Sequence, residues 1–209
     1  MQAGFIEAHI ARGNRNLLVV GLVLIVIGVV AALLDIWVPA LVAVPGVITV
    51  SVWLRRVLSP NAHPVYKRLA RYGDARQLAQ RVNQDFAGIK PGNTRYFGAR
   101  WLAQGHAFGV FLVPWQDVAW LHVYVQKTRN AGSVRVSAYV RVFSRDGDRF
   151  GAETGSSPEQ AQQLLRELQE RAPWAEVGYS PELALKWQKQ RAEFLERVDA
   201  RKRQHAPVA

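Results

Sequence analysis

No cysteine occurs among the 209 residues, so disulfides and thiolate chemistry are excluded, in keeping with a reducing cytoplasm. Histidine is sparse: His9, His63, His106, His122 and His205 are scattered, with no HExxH or other clustered spacing. No metal site and no cofactor are therefore expected. Neither His106 nor His122 has a Ser or carboxylate partner at a compelling spacing, so no catalytic residue is assigned and an enzyme is not expected. Asp146-Gly147-Asp148 opens like a calcium loop but lacks the later ligands and the terminal bidentate Glu; it reads as a hairpin turn. Acidic residues are also few, 16 against 27 Lys and Arg, giving a net charge of +11. The chain carries no groove-binding motif, so nucleic acid is not an expected partner of that charge. Internal repeats and low-complexity segments are absent.

Charge is missing altogether from two stretches, Leu17–Leu34 and Ile36–Leu54. About 20 apolar residues span a bilayer core as a helix, so the two predict a transmembrane hairpin over residues 1–58, interrupted by Asp35 and Pro39. Trp37 and Trp53 lie near the ends of the second run, where indoles favour the headgroup layer. Arg12 and Arg15 precede the pair, and Arg55 and Arg56 follow it. By the positive-inside rule both termini should be cytoplasmic. A signal peptide has a shorter apolar run, and a soluble buried pair would show a polar face. No ionisable residue interrupts either run, which argues against a transport path. The hairpin reads as an anchor, with Gly28 and Ala32 as a small-residue packing pair.

The anchor carries four arginines against Glu7 and Asp35, leaving about +9 on the remainder. Ten basic residues between Arg55 and Arg100 face only Asp74 and Asp85. Beside an anionic leaflet such a block is worth roughly 1 kcal/mol per residue near the surface. Residues 59–93 are expected to form juxtamembrane basic helices, Pro64–Tyr72 and Ala75–Phe86, the second capped by Asp74 with Gln77 at N3. The character then turns to β: Thr94–Leu102, a turn at Gln104-Gly105-His106, Phe108–Val113, Val118–Lys127, a turn at Asn130-Ala131-Gly132, Val134–Ser144 and Arg149–Glu153. In the Val134–Ser144 strand Val134, Val136, Ala138, Val140 and Val142 alternate with Arg135, Ser137, Tyr139, Arg141, Phe143 and Arg145, giving one buried and one wet face. In the strand before it, Ala119, Leu121, Val123 and Val125 are the expected core face, opposite Trp120, His122 and Tyr124. Ser157, Pro158 and Gln160 open a helix over 158–172. Trp174–Tyr179 is a candidate closing strand. Ser180-Pro181 opens a last amphipathic helix with a basic tail, residues 180–209.

The fold class is thus α+β. The strands followed by the 158–172 helix, with Phe111-Leu-Val-Pro-Trp-Gln-Asp-Val-Ala-Trp120, resemble bacterial membrane-anchored pleckstrin-homology-like (PH-like) proteins across residues 94–179. The resemblance implies a curled antiparallel sheet capped by a helix, and a binding or scaffolding module. Many PH domains hold phosphoinositides through Lys and Arg around the loop of their first two strands. Here that loop, Gln104-Gly105-His106, carries neither. Arg135, Tyr139, Arg141 and Arg145, with Trp120 and His122 from the neighbouring strand, form the candidate anion or partner surface, since Arg beside aromatic rings grips anions. An ordinary solvent face is the alternative. The expected partners are the bilayer and either anionic lipid headgroups or another membrane protein. The expected location is a bacterial inner membrane, crossed more than once; the preference for Arg over Lys fits a GC-rich bacterial source. An accessory subunit of a membrane complex is the alternative, with Gly21, Gly28, Ala32 and Gly46 facing other helices.

Overall fold

The structure, a computed structural model, describes residues 4–34, 36, 41–90, 92, 94–130, 133–153 and 157–205. It divides into two compact units, Met1–Leu112 and Val113–Ala209. The stretch 94–179, read as one domain, contributes residues to both.

In the first unit, α1 (Phe5–Leu33) begins twelve residues before the first apolar run. Its opening turns leave the apolar stretch and join the folded body. Phe5 and Ile6 are buried, with Phe5 against Phe86 and Tyr96 at ring-centroid distances of 4.7 and 5.0 Å. The Ile6 N–H donates to Asn83 Oδ1 at 2.8 Å. Among the described residues one helix, α1, is long and apolar enough to cross a membrane or to serve as a signal sequence; its most apolar 18-residue window has mean hydropathy 2.9. Only 17% of that window is buried, whereas the core helix of a soluble protein is mostly buried. The second helix, α2 (Ala43–Leu58), has 16 residues, about 24 Å at 1.5 Å per residue. It is shorter than the expected Ile36–Leu54 run, because Leu41 and Val42 form a turn. Asp35, Trp37 and Pro39 lie outside the described residues.

The two helices run antiparallel and meet at glycines. A Cβ on Gly28 would sit 2.5 Å from Ala43 Cβ, and one on Gly46 would sit 2.9 Å from Gly21 O. Only residues without a side chain allow this approach. Gly28 and Ala31 are buried, whereas Ala32 of the expected pair is exposed.

The short helices form, although the first, read as Pro64–Tyr72, ends at Leu69. In α3 (Pro64–Leu69) His63 is the N-cap, a role the sequence reading did not assign. In α4 (Ala75–Asp85) Asp74 Oδ1 accepts from the Gln77 N–H at 2.8 Å. Strands β1 (Arg95–Phe97), β2 (Trp101–His106) and β3 (Gly109–Pro114) make a three-stranded sheet in that order. The expected turn at 104–106 is a correction: Gln104 pairs with Arg95 inside the ladder, and the turn into β3 lies at Ala107–Phe108. The expected Thr94–Leu102 strand is also broken, by a reversal at Gly98–Arg100. The cause is Asp85, whose carboxylate accepts from the N–H groups of Ala99, Arg100 and Trp101 at 2.9, 3.1 and 3.2 Å. Replacing Asp85 with Ala strands three donors at that turn and should cost about 1–2 kcal/mol. Amide exchange at 99–101 should accelerate well beyond that of β3; unchanged protection there would show the turn holds without the carboxylate.

In the second unit, β4 (Val118–Asn130), β5 (Ser133–Ser144) and β6 (Arg149–Glu153) form an antiparallel meander, and β7 (Glu176–Val177) adds to β4 in parallel, giving the order β6-β5-β4-β7. The Ala131-Gly132 turn lies outside the described residues. Helix α5 (Pro158–Arg171), capped by Ser157 as read, packs on β4 and β5 through buried Ala161, Leu165 and Leu168. Leu121, Ala138, Val140 and Val142 are buried, as alternation requires. The opposite face, expected wet, is covered as well. The last amphipathic segment breaks at Gln190 into α6 (Pro181–Lys189) and α7 (Arg191–His205). Their Trp187, Phe194 and Val198 pack with Ala119 and Trp120 in a second core. A register shift between Val118 and Trp120 buries Ala119 and Trp120 together. Val125, assigned to the core by alternation, is exposed, as is Val134.

Candidate functional site

The β4–β5 ladder sets His122 opposite Arg141 and Tyr124 opposite Tyr139. It does not gather the six candidate residues on one open surface. Trp120 and His122 are each 2% exposed. The Trp120 indole N–H donates to Gly178 O at 2.7 Å, and its ring stacks on Phe143 at 4.7 Å. The His122 ring lies 4.7 Å from Trp120 and 5.5 Å from Phe143. Burial, with the Arg141 charge, pushes its pKa down, partly opposed by the Val123 carbonyl. A ring held neutral inside an aromatic stack is not an anion ligand.

Arg145 is also committed. Its guanidinium forms a two-pronged pair with Asp199 of α7, Nη1 to Oδ1 and Nη2 to Oδ2. That hydrogen bond raises the Arg145 pKa and holds the Asp199 carboxyl below its usual range. What remains of the expected surface is Tyr139 and Arg141, beside Tyr124 of β4, all half-buried. The Arg141 guanidinium lies 3.4 Å over the Tyr124 ring, and the two tyrosines pair across the strands at 6.4 Å. The position of Arg135 is fixed only by its backbone pairing with Thr128; its side chain lies outside the described set. Cation–π and cross-strand ring pairs explain this trio without a ligand.

The membrane-interface candidates fare differently. The antiparallel pairing of α1 and α2 puts Arg12, Arg15, Arg55 and Arg56 at one end of the helix pair, with half-buried Trp53 just inside it. Gly13 passes against the Phe108 backbone, and Asn16 Nδ2 donates to Ala107 O at 2.6 Å, so the base of α1 is fastened to the β2–β3 turn. Arg12 and Arg15 line an open depression with Ala8, Ala11 and Gly92. Three histidines converge beside this base. His9 packs edge-on to Phe5 at 4.7 Å, while His63 and His106 flank Gly109. Sequence spacing gave no hint of the convergence, since these residues are 54 and 43 positions apart.

Burial, then the charge of Arg12, lowers the His9 pKa to about 4; burial, then Arg56 and His106, lowers that of His63 to about 4. Unfolded histidines titrate near 6.5. Their folded pKa values being depressed, the unfolded state takes up protons first. Stability is complete above pH 6.5 and declines as pH falls toward 4, by at most roughly 2 kcal/mol per ring at pH 5. Thermal unfolding of the detergent-extracted chain should show a lower Tm at pH 5 than at pH 7.5. An unchanged Tm would mean the rings are hydrated.

Among the described residues no group of three or more His, Cys, Asp and Glu is placed to hold a metal ion. Comparison with known families matches the chain to a domain of unknown function (DUF6709) over residues 65–186. No curated protein and no solved structure matches the chain.

Proposed function

The chain belongs to the DUF6709 family, and we propose that it is a membrane-anchored, non-enzymatic binding module displayed on the cytoplasmic face of a bacterial inner membrane. The observation that carries this reading is α1: a 29-residue helix whose most apolar 18-residue window has mean hydropathy 2.9 and stays largely exposed in the folded chain. Exposed apolar surface on that scale calls for lipid or protein cover. We read α2, with the apolar residues before it, as a second crossing packed on α1. The four arginines at one end support a cytoplasmic side for both termini, where they would favour anionic headgroups.

A binding role draws support from the structural contacts that the buried histidines make. His63 caps a helix, His9 packs on Phe5, and His122 stacks between Trp120 and Phe143. The PH-like reading of the β-rich region draws support from antiparallel strands followed by α5, while parallel β7 departs from it. In the accessory-subunit reading Gly21, Gly28 and Gly46 would face other helices. Here they are filled by the chain's own helix pair, which favours the anchor.

Because the chain has no cysteine, an introduced one is a unique label. In intact cells with a permeable outer envelope, Leu41→Cys should react with an impermeant maleimide, and Glu182→Cys should react only after lysis. Labelling of Glu182→Cys in intact cells would reverse the orientation. Release of the chain from membranes by alkaline wash would end the anchor reading.

A further inference from the structure

At the base of the helix pair a cleft of about 360 Å3 opens between Glu7, Ile10 and Asn14 of α1, Arg56 of α2, and His63 and Tyr66. His63 is 2% exposed, and its Nδ1 accepts from the Val65 N–H at 3.3 Å. A neutral ring whose Nδ1 accepts must carry its proton on Nε2. That Nε2–H is buried, and none of the described residues accepts it. Arg56 Nη1 is a second buried donor in this state, and Asn14 Oδ1 is a buried acceptor likewise unpaired. Unpaired buried polar atoms are costly in a protein and call for a partner.

The other polar group in the cleft is Glu7. Its Oε2 accepts from Asn83 Nδ2 at 2.8 Å, and the Tyr66 hydroxyl donates to the same carboxylate. A carboxylate has about four acceptor sites, so it retains capacity. The lining therefore combines a cation and a neutral donor with a carboxylate and an amide oxygen. A simple anion would satisfy the first pair and be repelled by Glu7. A group carrying both a phosphate and an ammonium satisfies all four.

We propose that this cleft holds the headgroup of a zwitterionic aminophospholipid, its phosphate oxygens on Arg56 and His63 Nε2 and its ammonium on Glu7 and Asn14 Oδ1. The assignment rests on the membrane reading above, because it needs the cleft at the headgroup level. Its position fits: Ile10, Ala11 and Val57 supply apolar lining, and the exposed valines and leucines of α1 continue from it as a track for acyl chains.

The test uses the full chain, delipidated in detergent and titrated with phosphatidylethanolamine, phosphatidylglycerol or phosphatidylcholine, with native mass spectrometry counting retained lipid. One phosphatidylethanolamine per chain is expected. His63→Asn keeps a good helix cap but has no Nε2–H, and should weaken retention about tenfold at unchanged Tm. Arg56→Gln should weaken it at least about tenfold. Glu7→Gln should erase the preference for phosphatidylethanolamine over phosphatidylglycerol. Equal retention by wild type and all three variants, or no stoichiometric lipid, would mean the cleft holds only water and would overturn the proposal. Displacement of the lipid by equimolar soluble glycerophosphoethanolamine would overturn the lipid source. A chain that stays in alkaline-washed membranes yet retains no lipid fails this proposal while leaving the anchor reading intact.

Discussion

Replacing Trp120 with Ala should destabilise the second unit by roughly 3–5 kcal/mol, the usual cost of deleting a buried aromatic ring. The ring touches Phe143, His122, Trp187 and Phe194 at centroid distances of 4.7 to 6.0 Å, and its N–H holds Gly178 O. It is the sheet side of the core on which α6 and α7 sit. For a unit of this size the Tm should fall by roughly 12 °C or more. Limited proteolysis should cut within 181–205 before the sheet opens. The Arg145–Asp199 pair joins β5 to α7 as well, but its side chains are 29% and 42% exposed. Arg145→Ala is therefore expected to cost about 1 kcal/mol or less. Equal losses from the two substitutions would mean that charge, rather than aromatic packing, docks the C-terminal helices.

The second large effect concerns the pairing of α1 with α2. Gly28→Leu would drive a side chain into Ala43, whose Cβ, N and Cα lie 2.5, 2.6 and 2.9 Å from the new Cβ position. Two of those atoms are backbone, so no rotamer change relieves the clash and the helices must separate. Overpacking costs typically 1–3 kcal/mol where side chains can yield; here about 3 kcal/mol or more is expected. The readout is thermal aggregation of the detergent-extracted chain, with Val26→Leu as the control. Val26 is 59% exposed on the same helix, and its enlargement should leave the transition in place. A Gly28→Leu chain as stable as the control would show that α1 and α2 separate freely. The distinction bears on function, because lipid-facing and partner-facing readings of these glycines both require the pair to be loose there.

Local elements were legible because their causes are local. The Asp74, Ser157 and Ser180 caps accept the backbone N–H groups that short-range spacing assigned to them. The alternation of β5 put Ala138, Val140 and Val142 inside. The turn at Gly98–Arg100 was not legible, since the carboxylate that makes it sits 14 residues upstream. Nor was the burial of Trp120 and His122. Period-two alternation separates the two faces of a strand but says nothing of what covers each, and the cover comes from residues 181–205. The candidate surface dissolved for that reason: Arg145 found Asp199 on α7, and the aromatic pair went under the same helices.

The amino-acid order alone settled the apolar character of α1, the excess of basic charge around it, the want of thiol chemistry and the α+β class. These follow from composition and from interactions a few residues long. Tertiary structure decided that α1 reaches past its arginines to bury Phe5 and Ile6, that Gly28 closes on Ala43, and that Asn14, Arg56 and His63 share one cleft. Gly28 and Ala43 are 15 positions apart, and Asn14 is 42 from Arg56. The free energy that selects them is packing and desolvation, which no local pattern encodes.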